Sequence, residues 1–208
     1  MKGRFLSLEG GEGAGKSTQA RALAAALAAR GIRTLVTREP GGSDGAEAIR
    51  ALLMQGDVNR WSPRTEALLF AAARADHVEK TIRPAIEAGI WVISDRYIDS
   101  SRAYQGVAGD IDDAAVLALH HFGAGGLLPD RTFLLELPPV EGARRAVGRD
   151  GAGADRFAMR GEDFHLAVAA AFDRFAESEP ERFCRVDATQ LPERVTAALF
   201  DGLADLLP

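Results

Sequence analysis

Residues 4–29 read RFLSLEGGEGAGKSTQARALAAALAA, three pieces of different chemistry joined without a spacer. Arg4 to Leu8 is a short apolar run of strand composition. Gly10-Gly11-Glu12-Gly13-Ala14-Gly15-Lys16-Ser17-Thr18 then satisfies G-x-x-x-x-G-K-[ST], and Ser17 to Ala29 is an alanine- and leucine-rich stretch of helical length. Strand, glycine loop and helix in that order are the setting in which such a loop cradles phosphate. Small residues let successive backbone N–H groups point at one phosphate chain, the helix N-terminus adds partial positive charge, and Lys16 adds a full one. Ser17 supplies a hydroxyl for Mg²⁺. In a chain of this composition the match would arise by chance about 0.002 times.

Outward from this unit the rhythm repeats. Strand-like runs recur at Arg33 to Thr37, Ile90 to Ser94, Thr132 to Leu137 and Phe183 to Val186. Between them lie helical stretches at Gly45 to Met54, Pro63 to Ala88, Asp112 to Phe122, Val140 to Gly148, Asp163 to Ala176 and Pro192 to Leu206. Alternation of this kind requires crossovers, hence a parallel sheet, and apolar runs such as WVIS and FLLEL suit strands covered on both faces. The expected fold is α/β of the P-loop NTPase class, five parallel strands with helices on both faces, in one domain over residues 1–208. No internal repeat or linker interrupts it. Arg149 to Asp155, RDGAGAD, breaks the rhythm with permissive glycines flanked by arginines, and predicts a mobile lid around residues 149–160.

Composition narrows the function classes. With 208 residues, 47% of them apolar, the chain has ample material for a core without staples. Its one cysteine, Cys184, precludes an intramolecular disulfide and is expected in the core, and His77, His120, His121 and His165 show no ligand spacing. No apolar run approaches a signal peptide or a membrane helix, so a soluble cytoplasmic protein is expected. A net charge of −5 argues against a broad nucleic-acid footprint, which leaves anion binding local.

The cradle alone does not fix the reaction. A guanine-reading Asn-Lys-x-Asp element is impossible, because the only asparagine is Asn59 and Arg60 follows it. Asp95 emerges from the strand Ile90 to Ser94 with Arg96 beside it, at the sheet edge where ligands lie. Asp95 can orient water on Mg²⁺, while Arg96 offers a planar fork for phosphate or carboxylate. Arg38, Arg74, Arg96, Arg149 and Arg156 outnumber plausible bases. Gathering two anions for in-line transfer needs such charge, and an ionised phosphate acceptor needs no base. The residues thus favour a kinase with a phosphorylated acceptor, and leave open a P-loop ATPase that couples hydrolysis to motion or partner binding.

The chain also resembles the bacterial thymidylate kinase (dTMP kinase) family over essentially its whole length. The resemblance rests on LEGGEGAGKST (Leu8 to Thr18), TREPGG (Thr37 to Gly42), FAAAR (Phe70 to Arg74), SDRYIDSSRAYQG (Ser94 to Gly106), LLPDRTFLLEL (Leu127 to Leu137), DRF (Asp155 to Phe157) and VDAT (Val186 to Thr189). It implies the nucleoside monophosphate kinase variant of the fold and transfer of the γ-phosphate of Mg-ATP to dTMP, giving dTDP and ADP on the way to dTTP for DNA replication. A kinase of another nucleoside monophosphate is the alternative within that class.

The resemblance further implies a role for each matched position. Gly10 through Thr18 bind ATP, and Lys16, Asp95 and Arg96 are also catalytic. Ser17 and Asp95 belong to the metal site. Phe70 stacks on thymine and Arg74 donates to a base carbonyl. Ser101 and Gln105 lie near the pyrimidine edge, and Tyr104 crowds the sugar 2′ position. Glu12 points at the acceptor 3′-hydroxyl, and Arg38 and Arg96 grip the acceptor phosphate. Glu9 is open to three roles, supporting the metal, supporting Arg38, or structure alone. Because Gly13 stands where some relatives carry an arginine, the catalytic arginine is expected from the lid, Arg149 first and Arg156 second. Asp187 to Gln190 is the expected neighbour of adenine. Ala158 stands where the family commonly shows glutamate. The resemblance also implies a homodimer formed through helices.

Overall fold

The computed structural model describes residues 2–150, 157 and 159–208. Five strands, β1 (Phe5–Glu9), β2 (Thr34–Arg38), β3 (Trp91–Asp95), β4 (Arg131–Glu136) and β5 (Phe183–Asp187), form one sheet in the order β2-β3-β1-β4-β5. Every pairing is parallel, as the alternation with helices requires. Helices cover both faces. One face buries Leu6, Leu8 and Ile93 against Leu23 and Leu27 of α1 (Lys16–Ala28) and Leu199 of α9 (Pro192–Asp201). The other buries Phe5 and Val92 against Ile82, Ile98 and Val116. Fully buried leucines of this kind contribute about 1.5–3 kcal/mol each.

The register decides where chemistry can occur. Leu8 of β1 and Arg38 of β2 both align with Asp95 of β3, so three strands end level at the carboxyl edge. The glycine loop rises from β1 at that edge. In an open parallel sheet, ligands sit in the crevice where neighbouring strands send their connections to opposite faces, and here β1 lies between β3 and β4.

Capping separates α1 from its neighbours. Ser43 accepts from the Ala46 N–H at the start of α2 (Asp44–Met54), and Ser62 from the Thr65 N–H at the start of α3 (Pro63–His77). Asp112 does the same for α6 (Asp113–Ala124) through the Ala114 N–H. The N-cap of α1 is Gly15, in the left-handed region at φ 85°, with no side-chain cap. Its first-turn N–H groups are therefore presented to an incoming anion.

The stretch expected as one helix from Pro63 to Ala88 is one rod with a widened middle. It comprises α3, a π-helical turn over Val78–Ile82, and α4 (Arg83–Glu87). Pro84 offers no N–H to the turn before it, and local widening accommodates that loss. A second π-helical segment, Arg102–Val107, follows the short α5 (Ile98–Ser101). It buries Tyr104 and Gln105 in a stretch that carries no clear period in the sequence. After β4 come α7 (Pro139–Asp150) and α8 (Glu162–Ser178).

Candidate active site

The phosphate loop is built by close packing. A Cβ placed on Gly13, whose φ is 69°, would lie 2.2 Å from the carbonyl oxygen of Gly142 in α7. No side chain fits there without displacing that helix. Lys16, at the start of α1, is buried and donates to the carbonyls of Gly10 at 3.2 Å and Gly11 at 2.6 Å. Burial, with the Arg96 charge nearby, pulls its ammonium down to about 8, while Glu12, Asp95 and Glu9 act in the opposite direction. The Ser17 hydroxyl donates to Asp95, which joins the head of α1 to the end of β3.

One residue beyond Asp95, Arg96 occupies the left-handed region at φ 70°, uncommon for a residue with a Cβ. The turn is held by two bonds. The Arg96 N–H reaches Leu8 O at 3.0 Å, and Ser94 Oγ donates to the Arg96 carbonyl at 2.7 Å. So aimed, the guanidinium donates to Gly10 O, Ser100 Oγ, Glu12 Oε1 and the Tyr104 hydroxyl at 3.1, 3.0, 2.6 and 3.1 Å. It also stacks 4.9 Å from the Tyr104 ring centre. Burial opposes ionisation of Glu12, yet Arg96, Lys16 and the Tyr104 hydroxyl together hold its carboxyl down at about 2. Burial pushes the Tyr104 hydroxyl above its ordinary range.

Glu9 has a different task. Its carboxylate accepts from the Tyr97 N–H at 2.7 Å and from Ser100 Oγ at 2.6 Å, fixing the entry into α5. Burial and the Asp99 charge push its carboxyl up. Support of Arg38, one of its three expected roles, is not what the structure shows, because Arg38 pairs with Glu47 at 3.0 Å.

A cavity of about 280 Å³ continues from the loop toward α3. Glu12, Lys16, Ser17 and Arg96 line its phosphate end, and Phe70, Arg74, Tyr104 and Gln105 line its far end. Arg74 is buried and firmly placed. Its Nε donates to Glu39 at 2.7 Å, and its NH2 donates to Tyr97 O at 3.3 Å and Ser101 Oγ at 2.8 Å. Glu39 is in turn bonded to His77 Nδ1 at 3.1 Å, and His77 Nε2 meets Thr37 Oγ1 at 2.8 Å. Rings converge opposite this arrangement, with Phe157 lying 5.7 Å from Phe70 and 6.3 Å from Tyr104. Within α5, Asp99 is fully buried and neutralised by Arg182 at 2.7 Å and Arg102 at 3.1 Å.

A hydroxyl and one carboxylate, Ser17 and Asp95, face each other at the head of α1. Among the described residues no group of three or more His, Cys, Asp or Glu side chains could hold a metal ion. This donor set fits a divalent cation that draws most of its ligands from phosphate and water.

The sequence profile of the thymidylate kinase family matches residues 8–199. This chain belongs to the thymidylate kinase family. A thymidylate kinase of Rhizorhabdus wittichii is 59% identical over 208 residues, covering 100% of both chains. One from Caulobacter vibrioides is 50% identical over 206 residues, covering 99% of this chain and 98% of the other. The crystal structure of thymidylate kinase from Ehrlichia chaffeensis superposes with a TM-score of 0.80 at 27% identity, covering 98% of this chain and 100% of that one.

Within this thymidylate kinase framework the structure gathers most of the expected residues. Glu12, Lys16, Ser17, Arg38, Asp95, Arg96, Phe70, Arg74, Ser101, Tyr104 and Gln105 all line the one cavity. Asp187 to Gln190 forms a turn past β5, where Asp187 accepts from Thr189 and Gln190. The lid arginines are another matter: Arg156 and the side chain of Arg149 lie outside the described residues. Sequence reasoning missed Glu39, Ser100 and Glu66. Glu39 was within reach, since it sits inside TREPGG. Glu66 had no signal, being a single glutamate near the start of an alanine- and leucine-rich helix.

Proposed function

We propose that the chain transfers the γ-phosphoryl group of ATP to dTMP, giving dTDP and ADP in the supply of dTTP, and that the cavity between the phosphate loop and α3 receives dTMP. ATP-dependent phosphorylation of dTMP is the activity of the thymidylate kinase family to which the chain belongs. The observation that carries the placement is continuity: Lys16 and Ser17 line the same cavity as Phe70, Arg74 and Gln105. Two anions can therefore meet end to end beside Arg96.

In this reading the triphosphate lies over Gly10 through Thr18, held by loop N–H groups, the N-terminus of α1 and Lys16. Lys16 Nζ exchanges its bonds to the Gly10 and Gly11 carbonyls for phosphate oxygens. Thymine stacks on Phe70, Arg74 donates to a ring carbonyl, and Ser101 and Gln105 meet the pyrimidine edge. Tyr104 fills the space a 2′-hydroxyl would need, a steric rejection of ribose. Arg96 and Arg38 hold the acceptor phosphate, and Glu12 accepts from the 3′-hydroxyl. An acceptor oxygen, already ionised, attacks the γ-phosphorus while the bond to the β,γ-bridging oxygen breaks and ADP departs. Ser17 and Asp95 would hold the divalent cation, which we take to be Mg²⁺ and which would neutralise phosphate charge there. Arg149, or failing it Arg156, neutralises the transferring group from a lid over the site. Asp187 to Gln190 neighbours adenine.

We also propose a cytoplasmic homodimer. Leu52, Leu68 and Phe122, from α2, α3 and α6, are 42%, 54% and 95% exposed, more apolar surface than isolated side chains on a free face require. Among the described residues no helix is long and apolar enough to cross a membrane, and a lone thiol suits a reducing compartment.

The test is ADP formation measured with dTMP, dUMP, dCMP, dGMP, UMP and AMP as acceptors. Strong stimulation by dTMP and little by UMP is expected. ADP release that no acceptor stimulates would favour the ATPase reading instead.

A further inference from the structure

Behind the acceptor cavity lies a second one, lined by Trp61, Glu66, Gln105, Arg160 and Phe164 among others. Gln105 lines both cavities, whereas Glu66 lines only the rear one. Where they adjoin at Gln105, its Nε2 donates to Glu66 Oε1 at 3.0 Å, and both residues are buried, each 2% exposed. Glu66 is locked from its other side by Arg160, whose NH2 lies 3.2 and 3.0 Å from the two carboxylate oxygens. Arg160 is itself held between the Phe157 and Phe164 rings at 5.2 and 4.5 Å.

A carboxamide fits its space almost equally well with its oxygen and nitrogen exchanged, but a carboxylate can only accept. Facing Glu66, Gln105 must present its nitrogen to the rear. Its oxygen is then the atom offered to the acceptor cavity. Arg74, meanwhile, presents donors to the same cavity from a guanidinium fixed by Glu39 and Ser101. The far end of the cavity thus shows a donor beside an acceptor. Thymine and uracil answer that pattern with a ring carbonyl beside an N3–H, and cytosine presents the reverse, an amino group beside a bare N3.

We propose that Glu66 is a positioning residue that fixes the Gln105 carboxamide with its oxygen toward the base, so that the cavity accepts an N3–H pyrimidine and rejects cytosine. The inference rests on the dTMP reading of the cavity and specifies how that site reads its base. Arg160 adds a link to the chain following the lid arginines, because the same carboxylate that orients the amide is held by a residue of that segment.

The experiment is steady-state kinetics of the full chain with saturating ATP, comparing dTMP with dCMP. Glu66→Gln keeps the shape but lets the facing amide turn either way. It is expected to reduce the preference for dTMP over dCMP by about tenfold, read in KM for dTMP more than in kcat. The double variant Glu66→Gln with Gln105→Glu restores an acceptor-only group facing the base, and is expected to regain most of that preference. A merely structural Glu66 would not be rescued in this way. Gln105→Met, which removes the amide altogether, should lose preference as Glu66→Gln does, and is informative even if Glu66→Gln folds poorly. Unchanged preference in Glu66→Gln or in Gln105→Met, or equal losses for both nucleotides, overturns the proposal. Wild-type turnover of dTMP is the separate control, since its absence would refute the reading of the cavity rather than the role of Glu66.

Discussion

Arg96 NH2 lies 2.6 Å from Glu12 Oε1, an ion pair that spans from the first residue past β3 to the middle of the phosphate loop. Both partners are largely enclosed, with side chains 16% and 22% exposed. The pair holds two strand-end loops at a fixed separation, and it has chemistry to offer on either side. In the proposed mechanism an arriving phosphate would compete with Glu12 for the Arg96 fork, which would free the carboxylate for a hydroxyl donor.

Arg96→Lys tests the geometry of that fork. Lysine keeps the charge but loses the planar, two-pronged donor set that reaches Gly10, Ser100, Glu12 and Tyr104 together. A loss of about 10²-fold in kcat/KM for dTMP is expected, with KM for ATP changed much less. Steady-state kinetics checks this, and equal losses for both substrates would count against it.

The same pair sets a pH dependence of stability. The Glu12 carboxyl is held at about 2, below the ordinary 4.5, so its stabilising contribution is fully present above pH 4.5. As pH falls from there toward 2 the contribution disappears. Thermal melts should therefore show wild type more stable than Glu12→Gln at neutral pH, with the gap closing across that window.

Lys16 is shifted in the other sense for a cation, down to about 8 by burial. In the free protein it is therefore about half charged near pH 8 and largely neutral well above it, and phosphates bound as proposed would favour the charged form. The profile of kcat/KM for ATP, which reports the free protein, should fall above pH 8. The corresponding fall in kcat should appear at higher pH. Coincident limbs would argue that Lys16 does not meet the phosphates.

Gly13 is the steric hinge of the loop against α7. Gly13→Ala brings a Cβ to 2.2 Å from Gly142 O and forces a side chain into φ 69°. The backbone strain alone costs about 1–2 kcal/mol, which in a domain of this size lowers Tm by about 2–8 °C. A melt that did not move would mean the loop and α7 part readily. Gly13 carries no side chain, and the proposed mechanism takes its catalytic arginine from Arg149, so Arg149→Ala is expected to lower kcat by about 10³-fold while dTMP affinity changes little. An unchanged rate would move the role to Arg156.

Much of this was legible in the sequence because repetition and motif chemistry reinforce each other. The five strands and the loop Gly10 to Thr18 follow from strand runs alternating with helices and from a spacing that few other structures need. The segment Ile98 to Val107 was not legible as a helix, because the widened π-helical winding around Tyr104 and Gln105 leaves no 3.6-residue period to detect. Glu39, Glu66 and Asp99 were hidden for another reason. A charged residue is ordinarily exposed, and only the fold reveals that Arg74, Arg160 and Arg182 have been brought to meet them.

The most direct test of the account follows the label of γ-labelled ATP. With dTMP present, the label should appear in dTDP, with little free phosphate, because the acceptor cavity opens directly onto Lys16 and Arg96. Label released chiefly as inorganic phosphate, whether or not dTMP is present, would contradict the claim that this cleft joins two nucleotides.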